Sequence, residues 1–167
     1  MKDEERMLKM KIRDNKGMGY IQVIIIIVFV AMVVAGGIYY IRMRLNKEYN
    51  ETIKTNMLLI EWKVKDYKDK KTASKEEFVG LGSKLSEMQG DSVISEVLFK
   101  GIIENSQYDK YYVLKDEDLA NLSLEVSNEE GAYYIVNYDT MDIVFSKGCR
   151  YDKDKILYRL SDIENEN

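Results

Sequence analysis

The chain has 167 residues, 46% of them hydrophobic and 32% charged, with a formal net charge of −4 at pH 7. That length holds one modest globular domain plus a membrane segment, and the acidic balance offers no basic track for nucleic acid. There is no histidine, no proline and a single cysteine, Cys149, which excludes a Cys/His catalytic pair, the commonest metal ligand and any internal disulfide.

Residues 1–17 form a short charged leader with six Lys/Arg and four Asp/Glu, leaving 19 basic and 25 acidic residues after it, a formal −6. An apolar run follows. From Tyr20 to Ile41 the one strongly polar side chain is Gln22, and nothing is ionised. As a helix rising about 1.5 Å per residue, the segment 18–41 is long enough to cross a bilayer's hydrocarbon core. Its Ile and Val residues are mediocre helix formers in water, but unsatisfied backbone in lipid costs far more, so helix wins.

A secretory signal peptide fits poorly, because its apolar core is shorter and ends at a small-x-small cleavage site. Here Gly36-Gly37 leads into Ile38, Tyr39 and Tyr40, and Arg42 and Arg44 follow. That order reads as an interfacial belt with snorkelling cations. Basic residues flank the run on both sides, so charge counting adds little to the orientation. The two glycines mark a kink, a close helix approach, or glycines tolerated in lipid.

Lys16-Gly17-Met18 sets a basic residue, a glycine and a large apolar residue directly before the membrane segment. The arrangement resembles the cleavage signal of the type IV prepilins and type II secretion pseudopilins. The resemblance implies that a prepilin peptidase cuts after Gly17 on the cytoplasmic side, and that Met18 becomes the N-methylated first residue. It further implies a single-pass protein of the cell membrane, N-terminus cytoplasmic and head extracellular. Such a protein assembles through its N-terminal helix with other pilin-like subunits on an inner assembly platform. The family usually carries Ser or Thr where this chain has Gly19, and glutamate where it has Gln22. A glutamine can accept a hydrogen bond from a neighbour's amine but supplies no opposite charge, which favours a minor or initiating subunit. The competing reading is an uncleaved signal anchor whose extracellular head binds or senses a ligand.

Beyond the membrane segment the helical period persists. Ile41, Leu45, Tyr49, Ile53, Met57, Ile60, Val64 and Tyr67 recur at steps of three or four, with charged and polar residues opposite. Residues 42–70 are therefore predicted to continue the same helix as an amphipathic stretch, with Trp62 near the margin of its contact. A long helix that spans the membrane and then backs a globular head is a second point of resemblance to pilin-like proteins.

The head, residues 71–163, is predicted to be α+β. Ser74 and Glu77 have the spacing of a capping box, with Phe78, Leu81, Leu85 and Met88 as the buried face of a helix closed by Gly90. A further helix is expected from Asp91 or Ser92, its Val93, Ile94, Val97, Leu98 and Ile102 facing inward. Tyr111–Leu114 reads as a strand, and residues 116–119 as one or two helical turns. Ala132–Tyr138 and Ile143–Ser146 read as a hairpin, Gly148–Tyr151 and Ile156–Leu160 as another. Together they make an antiparallel meander of three to five strands, followed by a disordered tail, 164–167. The Tyr-, Lys-, Ile- and Asn-rich style is similar to prepilin-like heads of low-GC Gram-positive bacteria.

Asp139, Asp142, Asp152 and Asp154 form acidic turns but lack the ligand order of a calcium loop. Residues 152–155 read more simply as a hairpin tip, and Cys149 as a strand residue. With no phosphate loop, nucleophile elbow or spaced carboxylate pair, the sequence indicates no enzyme, catalytic residue, metal or cofactor. The candidate site residues are Gly17 and Met18 for cleavage and Gln22 for assembly.

Overall fold

The computed structural model describes residues 2–75, 77–126, 128–152 and 155–166, with side chains from Gly19 onward. The chain divides into two units, Met1–Leu45 and Asn46–Asn167. Helix α1, Lys2–Ala73, supplies the described residues of the first and the opening of the second. In the first unit the side chains from Gly19 to Leu45 are exposed.

In the second unit the amphipathic stripe does what its period predicts. Ile53, Met57, Ile60 and Val64 are buried, flanked by half-buried Tyr49 and Tyr67. Burying each large side chain stabilises the fold by about 1.5–3 kcal/mol. Leu45 stays exposed, and Trp62 is 62% exposed with Lys63 beside its ring, so it lies outside the contact.

The sheet is antiparallel, five strands in the order β1-β2-β3-β4-β5. These are β1 Ser83–Lys84, β2 Tyr111–Leu114, β3 Tyr134–Asn137, β4 Asp142–Arg150 and β5 Ile156–Arg159. The order is that of the chain, so the sheet is a meander, as the sequence predicts. Period-two alternation divides its side chains between two cores. Leu114, Tyr134, Val136, Ile143, Phe145 and Cys149 pack with the α1 stripe. Val113, Ile135 and Val144 face the other way, onto helix α2, Ser92–Phe99, through Ile94 and Val97. Asp91 caps α2, its carboxylate accepting from the amides of Val93 and Ile94 at 2.8 and 3.2 Å.

The helix predicted between Ser74 and Gly90 does not form. Ser74 instead closes α1, its amide donating to the Lys70 carbonyl and its hydroxyl to that of Lys71, and Lys75 turns left-handed at φ 56°. Glu76 lies outside the described residues. Phe78 and Leu81 pack with the α1 core, whereas Leu85 and Met88 join the α2 core. The four apolar residues thus serve both faces of the sheet rather than one face of a helix. Gly80 and Gly82 make that path possible. A Cβ at Gly80 would meet the Tyr138 ring at 2.8 Å, and Gly82, at φ +95°, lies against the Val113 carbonyl.

The predicted turns at 116–119 are helix α3, Asp116–Asn121, where Asp118 accepts the Lys115 amide at 2.9 Å. The strands read as Ile143–Ser146 and Gly148–Tyr151 are one strand, β4, with an irregular register against β5 between Val144 and Cys149. Gly148 at φ +70° sits within it. Leu160 starts a short helix, α4, Leu160–Glu164, rather than ending β5, and Ile163 is buried in the α1 core. Glu164 thus ends a helix, and Glu166 pairs with Lys155, where the sequence reading placed an unstructured tail. In the β4–β5 turn, Lys153 and Asp154 lie outside the described residues, while the Tyr151 amide donates to the Lys155 carbonyl at 2.9 Å.

Candidate functional site

The first unit holds the residues for which the sequence proposes a role. From Gly19 on, α1 contains a segment long and apolar enough to cross a membrane, with none of it buried. Gly17 and Met18 belong to the stretch of α1 whose side chains lie outside the described residues. Gln22 is exposed, and its carboxamide has no partner among the described residues. Helix geometry satisfies the backbone, and Gln22 is the one strongly polar side chain of Tyr20–Ile41.

In the head the structure gathers a polar cluster that sequence reasoning missed. Tyr111, Asn137 and Asp142 are successive partners across β2, β3 and β4. Arg159 from β5 reaches them. Its guanidinium pairs with Asp142, contacts the Tyr111 hydroxyl at 3.3 Å and donates to the Ile102 carbonyl at 2.7 Å. The Tyr111 hydroxyl donates to Asp142 at 2.6 Å. Burial, then the Asp142 hydrogen bond, raises the Tyr111 pKa. Burial works against the Arg159 charge, but Tyr111 and Asp142 outweigh it and hold its pKa above the ordinary value. The Asn137 side-chain oxygen Oδ1 accepts the amides of Asp139 and Thr140, fixing the β3–β4 turn, while its buried Nδ2 has no partner among the described residues. A cleft of about 480 Å³ opens beside this cluster, with Glu61, Thr140 and Ser161 among its walls. The signal in the sequence was Arg159, the one cation in the otherwise apolar run Ile156–Leu160.

The acidic turns are dispersed. Asp142 is committed to Arg159, and Asp139 lies 3.9 Å from Lys68. Asp152 is exposed, and Asp154 falls outside the described residues. Among the described residues no group of three or more acidic or thiol side chains could hold a metal ion. Cys149 is fully buried on β4, as a strand residue should be. Burial, reinforced by the Glu129 charge, pushes its thiol up to about 11, leaving it protonated and inert at neutral pH.

Comparison with known protein families, with curated proteins and with solved structures finds no match for this chain.

Proposed function

We propose that this chain is a prepilin-like, single-pass membrane protein, a minor or initiating subunit of a type IV pilus or type II secretion-like fibre. A prepilin peptidase removes residues 1–17, and the apolar part of α1 holds the protein in the membrane. An assembly platform then packs that helix against those of other pilin-like subunits, while the head faces outward. The observation that carries the reading is Lys16-Gly17-Met18, one residue ahead of a 22-residue stretch, Tyr20–Ile41, whose only strongly polar side chain is Gln22. Support comes from α1 itself. One helix bears both the apolar segment and the stripe Ile53, Met57, Ile60 and Val64 that backs an antiparallel sheet.

The cleavage step rests on simple sterics. A glycine before the cut lets the chain enter a peptidase groove without a side chain in the way. Mass spectrometry of protein extracted from native membranes should find Met18, N-methylated, as the first residue. Gly17→Val should leave a longer precursor that is still membrane-inserted, because the apolar helix is untouched. Native protein that retains Met1 to Gly17 would sink this reading and leave an uncleaved signal anchor with an extracellular binding head.

A further inference from the structure

Helix α1 runs without a break from Lys2 to Ala73, so the bond between Gly17 and Met18 lies within a helix. A helical peptide bond is a poor substrate for a peptidase. By the helix period the Gly17 carbonyl accepts from the Ile21 amide, and the Met18 amide donates to the Asp14 carbonyl. Both polar groups of the bond are held in place, and a nucleophile has no aligned path to its carbon. The sequence is weakest as a helix at the same place. Asp14, Asn15, Gly17 and Gly19 are four poor helix formers within six residues. Gly19 has no packing reason to be glycine. An added Cβ there would meet nothing within 4 Å, and its backbone is not left-handed. In the unbroken helix this glycine only weakens the turn it occupies.

We infer that the turn around the cut unwinds for the peptidase, and that the helix which remains begins at Gly19 and is capped by Gln22. Glycine is an accepted N-cap, and with Gly19 in that place Gln22 falls at the third helical position. A glutamine there reaches back to accept a hydrogen bond from the N-cap amide. In unbroken α1 that amide is taken by the Asn15 carbonyl, and the Gln22 carboxamide has no partner among the described residues. Unwinding frees the one for the other. The break also has a natural limit. Tyr20 opens the apolar run, and backbone hydrogen bonds broken deeper, in hydrocarbon, would find no replacement in water. Gly19 and Gln22 are thus positioning residues, which set where the helix ends without touching the bond that is cut. The inference rests on the leader cleavage of the proposed function and adds the conformational step that precedes it.

The rate of leader loss from the full chain in its native membranes, read as a size shift on gels, tests it. Gly19→Ala strengthens the unbroken helix and is a poor N-cap, so cleavage should slow on the order of tenfold. Gly19→Ser and Gly19→Asn are larger but cap well, and should be cut several-fold faster than Gly19→Ala. Gln22→Leu deletes the cap and should slow cleavage about fivefold, while Gln22→Glu, which also caps at that position, should restore most of the rate. Gly36→Ala, at an equally open glycine far from the cut, should change nothing. Gly19→Ala cut at the wild-type rate would overturn the unwinding. So would rates that fall with side-chain size from Gly through Ala and Ser to Asn, since a peptidase pocket would then be reading residue 19. Gln22→Leu cut at the wild-type rate would overturn the cap. Wild-type protein that keeps its leader would remove the prepilin reading and this step with it, an outcome distinct from a cleaved wild type with indifferent variants.

Discussion

Tyr49 on α1 donates its hydroxyl to the Glu129 carboxylate at 3.0 Å, joining residues 80 positions apart. Glu129 belongs to the β2–β3 connection and also faces Lys147 of β4 at 3.4 Å. One carboxylate therefore ties that connection to both α1 and the sheet. Burial first, and then the Glu129 hydrogen bond and charge, raise the Tyr49 pKa, so the phenol stays protonated and remains a donor. Tyr49→Phe keeps the ring and deletes the bond. It should cost about 1–2 kcal/mol, toward the low end for a hydrogen bond to a charged group because the site is partly exposed. Urea unfolding of the detergent-solubilised chain should show a lower midpoint at unchanged slope.

The α1 stripe has a sharper test. Ile60 is fully buried in the core shared by α1 and the sheet. Ile60→Asp would bury an unpaired carboxylate and should cost several kcal/mol, enough to unfold the head. Trp62→Asp, two residues on but exposed, should change little. Melting followed by circular dichroism separates them. Equal melting temperatures for Ile60→Asp and wild type would refute the packing described.

Gly148 is the most constrained glycine of the sheet. It sits at φ +70°, and a Cβ there would lie 2.5 Å from Ile156 Cγ2 and 2.8 Å from the Tyr158 ring. Gly148→Ala must shift β5 outward as well as hold a left-handed backbone, for a cost of about 1–3 kcal/mol. The chemical shifts or amide exchange of Ile156–Arg159 should respond before those of β2.

Alkaline pH should weaken the head in two stages. The Cys149 thiol is raised from 9.0 to about 11 by burial. Below pH 9 the folded and unfolded chains hold that proton equally, so its contribution to stability is fully present. Between pH 9 and 11 the unfolded thiol ionises while the folded one does not, and stability falls, by on the order of 2–3 kcal/mol in all. Tyr49, Tyr111, Tyr134 and Tyr138 are also raised above 10.0, and burial is the first cause in each. Their contributions begin to be lost above pH 10. Urea midpoints measured from pH 9 to pH 11 should decline, and Cys149→Ala should flatten the first part of that decline. A wild-type midpoint constant over the whole range would contradict these assignments.

Where one physical signal governed an element, the sequence was enough to find it. The period of Ile53, Met57, Ile60 and Val64, the Asp91 cap and the hairpin at residues 139–142 all act locally. The segment Phe78–Met88 was misread because its spacing satisfies two patterns. Steps of three and four mark one face of a helix, but here a chain crossing the sheet edge divides the same residues between two cores. Gly80 and Gly82 were the contrary signal, since two glycines within one turn weaken a helix by roughly 1 kcal/mol each. Helix α4 is too short for a period to reveal it. The Arg159 cluster was hidden for a different reason. Tyr111, Asp142 and Arg159 are scattered in sequence, and only sheet register and the reach of the arginine bring them together. Gln22, by contrast, was visible at once because everything around it is apolar.

The bond from the Asn50 side chain to the Arg150 carbonyl, 2.8 Å long, spans 100 residues of chain. It gives the head an order in time. The ribosome makes the α1 stripe first, yet β4, which completes the floor beneath it, leaves last but for β5 and α4. At about 5–20 residues per second the stripe waits on the order of ten seconds, uncovered, while the rest of the head is made. Over that interval Ile53, Met57, Ile60 and Val64 form an apolar strip on a helix that continues from a membrane-competent segment. A holding factor that shields apolar strips would find a target there while β4 is still being made.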